Sequence, residues 1–507
     1  MRKSVLLLTV LIFAMVLMAA TFAFAATIER VSVDSSGLQA NNSSSNTAIS
    51  SDGRFVAFTS IATNLVPGDT NGVQDVFVHD NVTGETTRVS VSSSGVQSNG
   101  YSTSPSISAD GRYVAFGSGA SNLVPGAQHG IFVHDMLTGT TEFVSVNNYG
   151  ANFFYSTGPS ISCDGRYVAF ESYTSVMKVY VRDRVAGTTE VVSVASDGLG
   201  HYAYSGYSGG ASISCDGRYV AFNSVNLLVP EDTNGTSDVF VRDRLLGTTE
   251  RVSVDSNGNQ ANSYSYPAII SGDGQHVVFI SSATNLVPDD NNGLVDAFVH
   301  DMQTGITERV SVDSNGNQGY YPTGYFSINY DGSLVALASA SNFVPEDTNG
   351  LLDVFMRDRL AGTTELVSVD ENGNQGNGHS VLPVMSKDGR YVAITSLASN
   401  LVPGDTNGKA DIFLYDRNPI PDTAEGAAAA IEEFLASGDI ANAGVATSLT
   451  ATLDSSILAQ DNGNVYAAHN TILAFINQVQ ALPDRMISDD ARELLLAAAY
   501  QILETLE

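Results

Sequence analysis

The chain has 507 residues, 54 acidic against 23 basic side chains, a formal net charge of −31, 46 glycines, no tryptophan and two cysteines. Such a charge excludes long-range attraction to nucleic acid or to an anionic membrane surface, and two cysteines exclude a disulfide scaffold. Abundant Gly, Ser, Asn and Thr point to turn-rich β structure.

At the start, Arg2 and Lys3 precede an apolar run from Val5 to about Ala20, followed by "TFAFAAT". A positive start, a short apolar core and a small-x-small exit at Ala23 and Ala25 describe a signal peptide over residues 1–25. The mature protein is therefore expected to be secreted, periplasmic or on the cell surface. No second apolar run follows, so no membrane span is expected after cleavage.

From residue 26 to about 420 the chain repeats itself. Asp-Gly followed by an apolar strand recurs at Asp52, Asp110, Asp164, Asp216, Asp273, Asp331 and Asp388, at intervals of 58, 54, 52, 57, 58 and 57 residues. Each unit carries short alternating runs, such as "ASIS", "YVAFNS", "DVFVRD" and "TERVSV" in the fourth. Alternation with β-branched and aromatic residues predicts strands, and seven units of four strands predict a mainly β, seven-bladed propeller. The seventh unit lacks its last strand, and "TIERVSV" at Thr27–Val33 supplies it. A ring closed by an N-terminal strand follows.

The phrases "SISADGRYVAF", "SISCDGRYVAF" and "DVFVRD…GTTERVSV" resemble the WD40-like β-propeller repeats of the TolB-like family. The resemblance implies a secreted or periplasmic propeller, commonly one that binds proteins or other ligands. Cys163 and Cys215 both stand in "SISCDGRYVAF". They read as two buried small residues in preference to a disulfide.

Five units carry an acidic phrase between their second and third strands, as in "NLVPGDTNG" from Asn64. It supplies Asp69, Asn71 and Asp75; Asp232, Asn234 and Asp238; Asp290, Asn292 and Asp296; Asp347, Asn349 and Asp353; and Asp405, Asn407 and Asp411. Oxygens at positions one, three and seven around a tight Gly turn suit a hard cation such as Ca²⁺. Asn-Gly is equally a leading turn dipeptide, and Asp readily forms an Asx-turn. Both readings stay open. The second unit replaces the phrase with "PGAQHG" and the third deletes it.

Aromatic residues on the connections between blades fall into two sets. Tyr101, Tyr155, Tyr207 and Tyr264 share one phase, with His379 in the last unit, and are expected to pack between blades. Phe153, Phe154, Tyr202, Tyr204, Tyr266, Tyr320, Tyr321 and Tyr325 break that phase, as does Tyr149. Aromatic faces beside amides such as Gln260, Asn262 and Gln318 suit a carbohydrate or protein ligand. The His-Asp pairs at His79, His134 and His300 sit on strands where adjacent side chains face opposite ways, so they read as structural.

Residues 421–507 change to Ala-rich helical segments, with Ile472, Phe475, Ile476 and Val479 on one face. Short loops predict a small antiparallel bundle. The segment "HNTILAFINQVQAL" and its flanks resemble the FIMAH domain, which implies an extracellular accessory module. No catalytic residues emerge: nucleophile-elbow, zinc-helix and Cys-His patterns are missing from the sequence. The leading reading is a binding protein for a glycan or protein ligand. A propeller-type glycoside hydrolase or lyase is the alternative, and a structural cell-surface component is the third.

Overall fold

The computed structural model describes residues 26–417 apart from 154, 174–176, 198–210 and 322–323. Of the C-terminal segment it describes 427–428, 431, 434–435, 440–441, 443–461, 465–483 and 485–506. The proposed signal peptide lies outside the described residues. The chain divides into two compact units at Asp416/Arg417.

The first unit contains seven four-stranded antiparallel sheets. Six are built from consecutive strands, beginning with β2 (Ser44–Ile49), β3 (Phe55–Ser60), β4 (Asp75–Asp80) and β5 (Thr86–Arg88). The seventh has the order β1 (Thr27–Arg30), β28 (Asp411–Asp416), β27 (Tyr391–Ser396) and β26 (Ser380–Met385), so β1 pairs with β28. The predicted closure by the N-terminal strand is thus present. Ser32 adds a buried hydrogen bond from Oγ to Asp411 Oδ1 at 2.6 Å, and Val31 N donates to Ile412 O at 2.9 Å.

The blades pack because strand alternation sends apolar side chains to both faces of a sheet that lies between two others. Phe58 and Phe77 are direct cross-strand partners, fully buried, with ring centroids 5.9 Å apart. The same pairing returns as Phe116–Phe132, Phe170–Tyr180, Phe222–Phe240 and Phe279–Phe298 at 5.7–6.1 Å. Such burial contributes about 1.5–3 kcal/mol for each large apolar side chain.

Residues at or just before each Asp-Gly turn form a girdle of backbone hydrogen bonds. Ser51 N donates to Ala109 O, Ala109 to Cys163, Cys163 to Cys215 and Cys215 to Gly272, at 2.9–3.0 Å. Asp273 then donates to Tyr330, Tyr330 to Lys387, and Lys387 back to Ser51, at 2.9–3.1 Å. The turn glycine serves a second purpose. Gly111 has φ +73°, and a Cβ there would run into the Phe55 ring of the preceding blade. Gly165 meets Tyr113 in the same way, and Gly53 meets Tyr391 across the closure. Each glycine is a socket for its neighbour's aromatic ring.

Cys163 and Cys215 form a disulfide between the third and fourth blades, with Cα atoms 4.6 Å apart. This corrects the expectation of two buried free thiols. Their positions lie on the innermost girdle, where adjacent blades approach closely enough for one repeat to reach the next.

In the second unit, α1 (Ala443–Asp461), α2 (Val465–Ala481) and α3 (Asp489–Leu506) share one apolar core. Ile472, Phe475, Ile476 and Val479 of α2 are buried there with Leu449, Leu453, Leu495 and Ile502. Arg492 Nη1 donates to the carbonyls of Val479 and Leu482, satisfying the last turn of α2. Among the described residues, no helix is long and apolar enough to cross a membrane.

Two outcomes are expected in urea unfolding. Reducing the disulfide, whose cysteines are 52 residues apart, should lower propeller stability by about 4 kcal/mol if chain entropy dominates. Ser32→Ala removes the Asp411 donor and should cost about 1–3 kcal/mol. An unchanged midpoint in either case would contradict the corresponding assignment.

Candidate functional site

Antiparallel blades place the acidic loops and the blade-to-blade connections on one face, and the Asp-Gly and Gly-Thr turns on the other. On the connection face, each acidic phrase acts first as a clamp. In the first blade, Asn71 Oδ1 accepts Val73 N at 3.1 Å, closing an Asx-turn. Asn71 Nδ2 donates to Asp75 Oδ2 at 2.7 Å and to the carbonyl of Ser98 on the next connection at 3.1 Å. Asp75 Oδ1 also accepts from Ser90 and Ser98. The other four loops repeat this grip: Asn234, Asn292, Asn349 and Asn407 hold the carbonyls of Ala261, Gly319, Gly376 and Ala40 at 2.9–3.2 Å. In the seventh blade the clamped connection is the N-terminal segment itself.

The structure brings the predicted Asp-Asn-Asp sets together, but with the Asn amide donating toward the carboxylate. Four sets also receive an arginine from the fourth strand. Arg88 lies 3.1 Å from Asp69, Arg251 3.8 Å from Asp232, Arg309 3.5 Å from Asp290 and Arg30 3.6 Å from Asp405. There the protein's own guanidinium meets the charge that the cation reading gave to an ion. Burial pushes the carboxyls of Asp238, Asp353 and Asp411 upward, because a desolvated anion is disfavoured. Among the described residues, no group of three or more His, Cys, Asp or Glu side chains is arranged to hold a metal.

The connection amides are engaged by the protein's own groups too. Gln260 Nε2 donates to Asp232 and Asp238 at 2.8 and 3.0 Å, and Asn262 pairs with Thr284 and Asn285. Gln318 accepts from Arg309 and donates to Asn291. These contacts replace the expected role of the three amides in facing a ligand.

Blades two and three lack the acids. Gly130 occupies the place of Asp75, with Phe143 and Ser145 where a side chain would extend, and Lys178 takes that place in blade three. Here the face is aromatic. Tyr101 Oη and His129 Nε2 lie 2.6 Å apart, and the His129 ring sits 5.8 Å from Tyr101 and 5.6 Å from Tyr155. Tyr101 and Tyr155 are 48% and 66% exposed, which corrects the expectation that this phase packs between blades. Tyr155 has φ +53°, a left-handed conformation costing a non-glycine residue about 1–2 kcal/mol. Tyr173, following the Ser156–Ser172 rung of the same blade, is exposed as well. The sequence reading missed His129 and Tyr173. Their signal was the interruption of the acidic phrase, which was read only as a loss.

The other aromatic candidates divide. Phe153 packs inward, 4.4 Å from Tyr180 and 6.0 Å from Phe170, so its ring supports the blade instead of facing solvent. Tyr266 packs against Tyr264 with the rings tilted and their centroids 5.4 Å apart. Tyr320, Tyr321 and Tyr325 are exposed, and Ser341 Oγ accepts the backbone N–H of both Tyr320 and Tyr321. Tyr320 lies at a cleft of about 830 Å³ that Arg309, Gln318 and Phe343 also line. Phe154, Tyr202 and Tyr204 lie outside the described residues.

On the opposite face, the Asp of each His-Asp or Arg-Asp pair serves the turn. Arg54 grips Asp80 through Nε and Nη2, both at 2.8 Å, and equivalent forks join Arg112–Asp135, Arg166–Asp183, Arg218–Asp243 and Arg390–Asp416. Burial alone would raise Asp80, but the Arg54 hydrogen bonds hold it at about 2. His79, His134 and His300 turn away to Thr86, Thr141 and Thr307, each at 2.8 Å. Because each Thr hydroxyl donates to a carbonyl at 2.6 Å, it accepts from the imidazole, which is neutral with its proton on Nδ1. Arg182, Arg242 and Arg357 donate to the matching Thr hydroxyl elsewhere. The pairs are structural donors.

Residues 424–504 match the FIMAH domain family. The propeller is similar in structure to a putative TolB from Agrobacterium tumefaciens (16% identity, 56% of this chain and 83% of that one, TM-score 0.36). It is similar also to TolB from Acinetobacter baumannii (13%, 73% and 84%, 0.35). A third likeness is the β-propeller domain of the Trilobed protease from Pyrococcus furiosus (11%, 74% and 95%, 0.47). No curated protein sequence matches the chain.

A pH dependence follows from the buried histidines. Burial lowers all three from the usual 6.5, His300 to about 4. The unfolded chain then binds more protons in this window, so stability is full above about pH 6.5 and falls as pH drops toward 4. His300 alone accounts for on the order of 3 kcal/mol. Urea midpoints should fall over this range in the wild type and flatten in His79→Arg/His134→Arg/His300→Arg, which keeps the donor to each Thr. A flat wild-type profile would refute the buried neutral imidazoles.

Proposed function

We propose that this seven-bladed, TolB-like propeller with its FIMAH domain is an exported binding protein, and that its connection face takes a glycan chain. The observation that carries this reading is the pair of exposed rings Tyr101 and Tyr155 on either side of the half-buried His129, set on the blades that abandon the acidic clamp. Sugar rings present flat apolar C–H faces edged by hydroxyls. Aromatic rings with polar tips match both, and rigid rings lose little entropy on binding. The left-handed backbone at Tyr155 is a local cost retained where a ring is held out to solvent. Tyr320 and Tyr321 offer a second platform on the connection into the sixth blade.

Export is supported by the sequence of residues 1–25 and by the disulfide, which persists in oxidising compartments. The net charge of −31 favours a neutral or basic glycan over an acidic one.

Binding to a panel of insoluble and soluble polysaccharides tests the proposal. His129→Ala and Tyr155→Gly should each weaken retention at least tenfold. Tyr155→Gly should leave thermal stability unchanged or raise it by about 1 kcal/mol, because glycine accepts the positive φ. Retention that survives both substitutions together with Tyr320→Ala/Tyr321→Ala would refute this face as the site. Turnover of a polysaccharide abolished by a single acid substitution would replace binding with catalysis.

A further inference from the structure

The sixth blade keeps the acidic pair but not its arginine. Across the sheet from Phe77, Phe240 and Phe298 stand Arg88, Arg251 and Arg309; across from Phe355 stands Leu366. Asp347 and Asp353 are nonetheless as deeply buried as their counterparts, 1% and 0% exposed. Their hydrogen bonds come from neutral groups: Gln375 Nε2 at 2.7 and 3.3 Å, Asn349 Nδ2 at 2.9 Å and Ser368 Oγ at 2.6 Å. Asp347 Oδ2 is buried without any donor. His379 makes no hydrogen bond to either carboxylate; its Nδ1 accepts Leu352 N at 3.0 Å.

Two buried carboxylates without a countercharge are strongly disfavoured. Four sister sites show what satisfies this arrangement, since each places a cation beside the first Asp. In the fourth blade that cation also reaches a carbonyl, Arg251 Nη2 donating to Glu231 O at 3.4 Å. We propose that the sixth blade binds one divalent cation of the Ca²⁺ type, held by the Asp347 and Asp353 carboxylates and the Glu346 carbonyl where the sister blades hold an arginine. An all-oxygen set with two anionic ligands suits a hard cation that retains water in its remaining positions. The site is separate from the aromatic row and stands without it.

The test is thermal unfolding of the full mature protein in EDTA, in millimolar CaCl₂ and in millimolar MgCl₂, with calorimetric titration of CaCl₂. The wild type should gain several degrees with Ca²⁺ and bind one equivalent, because an ion that binds only the native state stabilises it. Leu366→Arg, which supplies the arginine of the sister blades, should be insensitive to both EDTA and Ca²⁺. Asp347→Asn, nearly isosteric, should lose most of the Ca²⁺ response while still unfolding cooperatively. A wild type that ignores Ca²⁺ overturns the proposal. So does a Ca²⁺ shift of equal size in Leu366→Arg and Asp347→Asn, which would put the ion elsewhere.

Discussion

Closure governs this propeller. A four-stranded sheet packed on one side only would expose an apolar face, and an array of seven would expose two. The chain removes both by returning to its own beginning. Three layers meet at that return: β1 pairs with β28, Asn407 and Asp411 clamp Ala40 and Gln39, and Lys387 closes the inner girdle onto Ser51. Packing of the Tyr391 ring against Gly53 adds an apolar interlock at the same interface. The sequence between residues 27 and 53 therefore functions as part of the last blade and the first one together.

The second constraint is electrostatic. The repeat buries carboxylates on the connection face of five blades, and each must find compensation. Arginine, a bridging glutamine amide and a serine hydroxyl supply it in layers. On the turn face, bidentate arginine forks serve the largely buried acids, while either His or Arg donates to one Thr hydroxyl. That alternation explains why "HD" and "RD" are interchangeable: the required property is an N–H at one point in space, and charge is secondary.

Much of the fold was legible because a period near 57 residues, read with strand alternation, determines the number of blades and the place of the split one. The site was less legible, for three physical reasons. Periodicity identifies equivalent positions without stating their environment, so Tyr101 and Tyr155 could be aligned with Tyr264 yet not recognised as exposed. Ring radius is invisible in one dimension, so the approach of Cys163 to Cys215 at the girdle was not foreseen. Amide and acid partners lie one connection apart, about 22 to 28 residues, as with Gln260 and Asp232; a motif reading confined to the loop sees oxygens and omits the arginine that neutralises them.

The inner girdle and the glycine sockets have a consequence for cooperativity. In an open array of repeats each unit touches only its neighbours, and the terminal units fray because they have one neighbour instead of two. Here no unit is terminal. Releasing any blade breaks two interfaces, and the remaining six become an open array with two frayed ends. The first step of unfolding is thus more costly than the next, which makes seven near-identical modules melt as one body.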